Sequence, residues 1–128
     1  MFAAYDALAV AVRDADVRWV VTHGEPHPGN VIWTGDDTFV LVDWDTVAVA
    51  PAERDLWDLG PLNDGEWRAY TSSSGCAAVR PDALELYRLR WTLDEIAYYV
   101  DLFRSKHDDD RNTRVAWSGL QSYVAGGT

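Results

Sequence analysis

Three residue types are scarce in this sequence of 128 residues. It holds one cysteine, Cys76, and one methionine, so no disulfide can form within the chain and a reducing compartment is favoured. Lysine occurs once, at Lys106, and 11 basic residues stand against 21 acidic ones, which gives a net charge of −10. A nucleic-acid binder needs a basic face, and this composition argues against one.

Long apolar runs are also absent. No segment approaches the length of a transmembrane helix, and residues 1–12 lack the basic region and cleavage signal of a secretion signal. We therefore expect a cytoplasmic protein with neither a membrane nor a nucleic-acid partner. The length predicts a single domain over residues 1–128 with one sizeable core.

The first half of the chain is predicted to combine one helix with a small β structure. Apolar residues at helical spacing predict an amphipathic helix over Phe2–Arg13. Residues 18–22 (RWVVT) are β-branched and aromatic, which predicts a buried strand. Residues 31–33 and 38–42 flank the turn-rich tetrapeptide TGDD and predict a β-hairpin. The intervening HGEPHPGN holds two prolines and two glycines, so it is predicted to be a loop.

The second half is predicted to be helical. Pro51 is well placed to open a helix that runs through Leu59, because proline favours the first helical position. Pro81 opens the clearest helix of the chain, with a broad apolar face that runs through Phe103. The remaining segments are predicted as a loop, a short helix, a polar connector, a last helix and a frayed end, over residues 60–65, 66–73, 106–112, 113–124 and 126–128.

Two polar clusters flank the predicted hairpin and are expected to meet at one end of the sheet. They consist of His23, Glu25, His27 and Asn30 on the loop, and of Asp43 and Asp45 after the second strand. Carboxylates and an amide oxygen suit Mg²⁺ better than zinc. A carboxylate with a His two positions before it, an Asn five positions after it and an acidic turn downstream is the layout of a kinase catalytic loop. Such a loop orients an acceptor hydroxyl and accepts its proton.

Three motifs in this order resemble the aminoglycoside phosphotransferase and choline kinase-like family: HGEPHPGN, VLVDWD and APAERDLW. The helical YRLRWTLDEIAYYVDLF is similar to that family's C-terminal lobe, so the resemblance covers nearly the whole chain. It implies an α+β, mostly α fold, the C-terminal lobe of a protein kinase-like fold, with a small β-hairpin that carries the catalytic and metal-binding loops. It also implies that ATP or GTP donates its terminal phosphoryl group to a hydroxyl of a small molecule, with Mg²⁺ as cofactor.

The resemblance implies a role for each residue of the loop. Glu25 falls where the family has its catalytic Asp, Asn30 where it has a metal-binding Asn, and His23 is expected to hold the loop in shape. The family usually has HGD where this sequence has HGE. The extra methylene moves the carboxylate by roughly a bond length, and a misplacement of ~1 Å can lower the rate about a hundredfold. Pro26 and Pro28 give the loop a shape that is compatible with Glu, so the change is not interpreted as inactivation.

The resemblance also implies a metal site. Asp43 falls on the main Mg²⁺ ligand and would bind the nucleotide phosphates through the metal, together with Asn30. Asp45 is expected to be a second ligand or an outer partner, and Asp55 in ERDLW is expected to brace the site.

An expected feature of kinase-like enzymes is not found. They carry an N-terminal lobe with a strand-borne Lys on the nucleotide phosphates, whereas this chain has only Lys106 and 22 residues before His23. We expect that the nucleotide-clamping lobe is absent from this chain. A natural truncation, a wrongly assigned start, an expressed fragment and one half of a two-chain enzyme all stay open.

The acceptor is expected to bind on the long helix. Trp91, Asp94, Glu95 and Tyr98 are the candidates, and Asp94 and Tyr98 share a face because they lie four residues apart. The acidic balance would suit a cationic acceptor. The alternative is that Trp91 belongs to the core and that Asp94 and Glu95 form a solvated face.

Two other functions stay open. The chain could be a non-catalytic relic lobe that binds a ligand or partner, with an apolar surface that drives homo-oligomer formation. A metal-dependent hydrolase is the second, although Pro26 and Pro28 prevent a helical His-x-x-x-His zinc site. Its candidate ligands are His23, His27, Asp43 and Asp45.

Overall fold

The computed structural model describes residues 1–59, 63–76 and 78–125, and it confirms the predicted mostly helical α+β fold. None of the helices in these ranges is long and apolar enough to cross a membrane. The helices are α1 (Phe2–Arg13), α2 (Asp64–Ser74), α3 (Pro81–Arg104) and α4 (Arg111–Ala125). The strands are β1 (Trp19–Thr22), β2 (Val31–Gly35), β3 (Thr38–Leu41) and β4 (Ala48–Pro51).

All four described helices lie close to predicted ones, and capping explains the differences in their bounds. The α2 helix begins at Asp64 because Asn63 and Glu66 form a capping box, in which the Asn63 side chain accepts from the backbone N–H of Glu66. At α4, the Asp110 carboxylate accepts from Thr113 N at 2.9 Å, which places the helix start before the predicted residue 113. Residues 60–62 of the predicted loop 60–65 and the frayed end at 126–128 lie outside the described residues, whereas Asp64 and Gly65 belong to α2.

Helix α3 is the centre of the helical part. On one side its buried Ala83 and Leu86 pack with Val12 of α1 in the main apolar cluster. Further along, α4 packs against α3, and the rings of Phe103 and Trp117 meet edge to face with centroids 5.2 Å apart. These contacts occupy two sides of α3 and leave another stripe of the helix facing the β structure.

The predicted hairpin is confirmed as the antiparallel pair β2–β3, with Val31 opposite Leu41. Its turn residues Asp36 and Asp37 have φ of 50° and 56°, the left-handed conformation that two-residue hairpin turns require. The backbone N–H of Val42 donates to Asn30 O at 2.9 Å. The hairpin therefore fixes the end of the HGEPHPGN loop next to the chain that leads into Asp43.

The predicted helix from Pro51 through Leu59 is wrong. Residues Ala48–Pro51 form β4, which pairs antiparallel with β1, and only the short 3-10 segment Ala52–Asp55 follows. The alternating sequence AVAP becomes a strand because β1 offers backbone partners, a condition that local helix signals do not report. The β part is therefore two separate two-stranded sheets rather than one hairpin, as far as the described residues show.

Candidate active site

His23 lies at the centre of the loop region and is 1% exposed. Its Nδ1 accepts a hydrogen bond from the Glu25 backbone N–H at 3.2 Å. The proton is therefore on Nε2, which donates to Val42 O at 2.8 Å. Both ring nitrogens are used by a neutral imidazole. His23 thus connects the loop that carries Glu25 to the residue before Asp43.

Asp55 lies under the same loop. One carboxylate oxygen accepts from His23 N at 2.8 Å and the other from Gly24 N at 2.7 Å. Gly24 has φ of 102°, and a Cβ there would lie 2.6 Å from Thr46 Oγ1 and nearer still to the Arg54 guanidinium. The loop therefore requires glycine at this position, both for its backbone conformation and for space.

Arg54 and Thr46 complete this support, and the sequence analysis did not identify either of them. The Arg54 guanidinium donates to Thr22 Oγ1 at 2.8 Å and to Thr46 O at 2.6 Å. The Thr46 hydroxyl in turn donates to His23 O at 2.8 Å. These bonds join the end of β1, the HGEPHPGN loop and the segment after Asp45. Nothing in the local sequence pattern distinguishes Arg54 from a surface arginine.

Asn30 is nearly buried and has a fixed orientation. Its Nδ2 donates to Glu25 O at 2.9 Å and lies 3.4 Å from His27 Nε2, which leaves Oδ1 without a hydrogen-bond donor among the described residues. His27 caps the short Pro28–Asn30 turn, since its Nδ1 accepts from Gly29 N at 3.1 Å. The Glu25 carboxylate itself forms no hydrogen bond or ion pair with any described residue.

The turn after β3 carries the predicted metal ligands. Asp43 has φ of 65°, an uncommon conformation for a residue other than glycine and one that often marks a functional site. Between Asp43 and Asp45, the Trp44 ring lies edge-on to His23 at 4.7 Å, and its Nε1 donates to Leu41 O at 2.8 Å. Neither Asp side chain forms a hydrogen bond within the described part of the chain.

The residues present fit Mg²⁺. The Val42 N–H to Asn30 O bond keeps Asn30 and Asp43 at the same end of the hairpin. The side-chain oxygens, Asn30 Oδ1 and the Asp43 carboxylate, accept no hydrogen bond from any residue in the described ranges. A set of carboxylate and amide oxygens is the type that Mg²⁺ prefers. No group of three or more His, Cys, Asp or Glu residues suited to a metal is found among the described residues. The hydrolase interpretation included His23 among its candidate ligands, and both ring nitrogens of His23 already form hydrogen bonds.

The four predicted acceptor residues lie in one cleft with Glu25. The cleft has a volume of about 540 Å³ and lies between the HGEPHPGN loop and α3. On α3 the lining positions recur every three or four residues, as one stripe of a helix does. They are Tyr87, Arg90, Trp91, Asp94, Glu95 and Tyr98. The facing wall is formed by Gly24, Glu25, Thr46, Ala48, Arg54 and Trp57.

Aromatic residues form one end of this cleft. The rings of Trp57 and Trp91 lie 5.7 Å apart, and Trp91 Nε1 donates to Tyr123 Oη at 3.3 Å. Trp91 is therefore anchored to α4 and also lines the cleft. Burial raises the pKa of Tyr87, against the opposing effect of Arg54 and Arg90. Tyr87 and Arg90 were missed, although each lies four residues before a predicted acceptor residue and thus on the same stripe.

Comparison with known proteins identifies the family. A family model described as "Phosphotransferase enzyme family" matches residues 2–102. The chain belongs to this family. The match confirms the resemblance that the three motifs indicated, and it covers the loop, the metal turn and most of α3.

Individual relatives of this phosphotransferase family agree. Protein StrN of Streptomyces griseus is 35% identical over 116 residues, which are 89% of this chain and 32% of that protein. The crystal structure of spectinomycin phosphotransferase APH(9)-Ia in complex with ADP and spectinomycin matches with a TM-score of 0.72 at 21% identity, over 94% of this chain and 38% of that one. Its AMP-bound complex matches with a TM-score of 0.62 at 21% identity, over 94% of this chain and 41% of that one.

At such sequence identity the spectinomycin phosphotransferase structures show a shared fold. This chain spans about a third of the length of StrN and about two fifths of the phosphotransferase chains.

Proposed function

We propose that this chain is the catalytic and acceptor-binding part of a phosphotransferase that uses ATP or GTP and Mg²⁺ to phosphorylate a hydroxyl of a small molecule. The observation that carries this proposal is the position of Glu25. Glu25 lines the cleft that is also lined by Trp91, Asp94, Glu95 and Tyr98, and its backbone oxygen accepts a hydrogen bond from the candidate metal ligand Asn30. One residue thus adjoins both the acceptor and the metal.

Each residue then has a physical task. Glu25 orients the acceptor hydroxyl and accepts its proton, for which an unpaired carboxylate at the cleft is suited. His23 and Asp55 fix the loop, because every hydrogen bond of their side chains is to the backbone of the loop or of the residue before Asp43. Asn30 and Asp43 would hold Mg²⁺, with Asp45 in support. The ion would neutralise negative charge on the nucleotide phosphates.

The acceptor class follows from the cleft. Asp94 and Glu95 offer carboxylates to an ammonium group, and the net charge of −10 adds a favourable field. Trp57 and Trp91 offer apolar faces to a ring. A hydroxylated ring that carries amino groups fits both. Spectinomycin, which is bound in the structure of the related phosphotransferase, is one acceptor to test.

The nucleotide clamp is proposed to come from protein outside residues 1–128, since relatives of this family are two to three times as long. We also propose a cytoplasmic location, where nucleoside triphosphates are available.

A phosphoryl-transfer assay tests the function. The chain is joined to, or mixed with, the nucleotide-binding lobe of a relative and supplied with Mg²⁺ and radiolabelled ATP or GTP. We expect label on spectinomycin or on a simpler amino-substituted cyclitol. Failure to label any cationic acceptor, although the joined protein folds and binds nucleotide, would contradict the proposal.

A second function is supported by one observation: all the residues proposed to bind the acceptor line one cleft of this chain. A relic lobe that binds the acceptor without turnover would show acceptor binding by the chain alone and no labelled product in the joined protein.

A further inference from the structure

The proposed acceptor cleft contains a positively charged side chain, Arg90, that would compete with a cationic acceptor for Asp94. Arg90 lies one helical turn before Asp94 on α3, and its Nε is 3.5 Å from Asp94 Oδ2. Both residues line the cleft. In the absence of an acceptor, one of the carboxylates that could receive an ammonium group is therefore already paired.

The other arginine of the cleft behaves differently. Arg54 donates to Thr22 Oγ1 and Thr46 O at 2.8 and 2.6 Å, and both bonds hold the catalytic loop region together. The Arg90 side chain forms no hydrogen bond with any described residue. Its side chain is 55% exposed and that of Asp94 is 70% exposed. Arg54 is thus fixed, whereas Arg90 can leave Asp94 at little cost, since exposed pairs of this kind are weak.

From this contrast we propose that Arg90 is a specificity-determining residue, whose guanidinium holds Asp94 until an ammonium group of the acceptor replaces it. The inference rests on the proposed function, because it takes the cleft to be the acceptor site. A cationic acceptor must separate the pair and approach a remaining positive charge, whereas a neutral acceptor need not. Arg90 therefore weakens the binding of cationic acceptors relative to neutral acceptors of the same shape.

The size of the effect is bounded. An exposed ion pair contributes up to about 1 kcal/mol, so removing it changes affinity by about two- to fivefold. Residual repulsion of the acceptor by Arg90 acts in the same direction and is reduced by salt. The change is small but measurable when neutral and cationic ligands of the same shape are compared.

The test uses the 128-residue chain itself and two cyclitols as probes. Deoxystreptamine carries two amino groups, and myo-inositol carries none. Binding of each is measured by isothermal titration calorimetry and by tryptophan fluorescence, since Trp57 and Trp91 line the cleft. For Arg90→Gln we expect deoxystreptamine to bind about two- to fivefold more tightly, with myo-inositol unchanged. High salt should reduce the difference.

The matched control is Arg88→Gln. Arg88 pairs with Glu85 on the same helix at 2.6 Å, with similar exposure, and does not line the cleft. It should change neither affinity. In an Asp94→Asn background only the direct repulsion by Arg90 is left, so Arg90→Gln should strengthen deoxystreptamine binding less than it does in the parent chain. An equal gain in affinity in the parent and Asp94→Asn backgrounds would mean that Arg90 acts only through its general positive charge and not by pairing with Asp94.

Two results would overturn the inference about Arg90, and only the second would also contradict the proposed function. If deoxystreptamine binds the chain but Arg90→Gln leaves its affinity unchanged or weaker, the competitive role of Arg90 is wrong and the phosphotransferase proposal stands. If no cationic ligand binds either the chain or its variants, although circular dichroism shows them folded, the cleft is not the acceptor site and both proposals fail.

Discussion

The Nε2 of His23 and the carbonyl oxygen of Val42 lie 2.8 Å apart, and this bond joins the loop of Glu25 to the turn of Asp43. The ring also accepts from the Glu25 backbone and contacts Trp44 edge-on. One buried imidazole thus fixes the relative position of the proposed base and the proposed metal ligand.

Replacing His23 by Leu should destabilise the chain and disorder the site. Glu25 N and Val42 O would both lose their partners, and a buried polar group left unpaired costs about 1–3 kcal/mol, so we expect a total loss of roughly 2–4 kcal/mol by urea denaturation. The control is His107→Leu, because His107 is exposed and its Nδ1 also lies 2.8 Å from a backbone oxygen, that of Ser105. Equal losses in the free energy of unfolding for the two variants would show that the buried His23 hydrogen bonds stabilise the chain no more than the exposed His107 contact does.

Replacing Gly24 by Ala should be more damaging than replacing Gly35. Both have strongly positive φ, 102° and 95°, but a Cβ meets Arg54 and Thr46 only at Gly24 and open space at Gly35. Gly35→Ala should therefore cost about 1 kcal/mol for backbone strain alone. Gly24→Ala should cost at least about 2–3 kcal/mol and shift the loop. Thermal unfolding of the two variants measures the difference, and a Gly24→Ala variant as stable as Gly35→Ala would contradict the packing described here.

The sequence predicts those elements of this structure that are determined by residues close together along the chain. The helices from Phe2 and Pro81 follow from apolar periodicity, and the hairpin from its turn residues. Strand Ala48–Pro51 could not be predicted in this way, because its conformation depends on pairing with Trp19–Thr22 far along the chain.

The same distinction holds for the site. Glu25, Asn30 and Asp43 were identified because their spacing along the chain carries the pattern. Arg54 was not, because its role comes from reaching Thr22 and Thr46 in space. Arg90 could have been found, since it lies four residues before Asp94 on the same helix stripe.

Replacing Asp43 by Asn should weaken the response to Mg²⁺ and leave the fold intact. Asparagine tolerates the positive φ of Asp43 but lacks the negative charge that Mg²⁺ favours. We expect the Mg²⁺ concentration for half-maximal phosphoryl transfer by the joined protein to rise about tenfold or more. Asp37→Asn is the control, because Asp37 has a similar φ of 56° in the hairpin turn. An unchanged Mg²⁺ requirement would remove Asp43 from the metal site.

The start of α4 should make stability depend on acid pH. The backbone N–H of Thr113 bonds to the Asp110 carboxylate and lowers its pKa. A folded pKa below the unfolded value of about 3.9 means that the stabilisation is present above that pH and is lost as pH falls through the folded value. Asp110→Asn keeps a capping oxygen that does not titrate. The fall in Tm from about pH 6 to about pH 3, which is about one unit below the unfolded pKa, should therefore be smaller in this variant than in the parent chain.

The control for this experiment is Asp108→Asn, because the Asp108 side chain forms no hydrogen bond or ion pair with the described residues. For Asp108→Asn, the fall in Tm over the same pH range should match that of the parent chain. If Asp108→Asn and Asp110→Asn respond alike, the acidic run acts through its total charge and not through the cap.

The central claim is that Glu25 acts on the acceptor hydroxyl at the cleft, and Glu25→Gln tests it most directly. Glutamine keeps the shape of the side chain but cannot accept the proton. We predict that the variant chain binds deoxystreptamine within about threefold of the parent affinity, since the ion pairing is assigned to Asp94. In the joined protein, kcat for the phosphorylated acceptor should fall about a hundredfold or more. A variant that transfers phosphate at the parent rate would contradict the account.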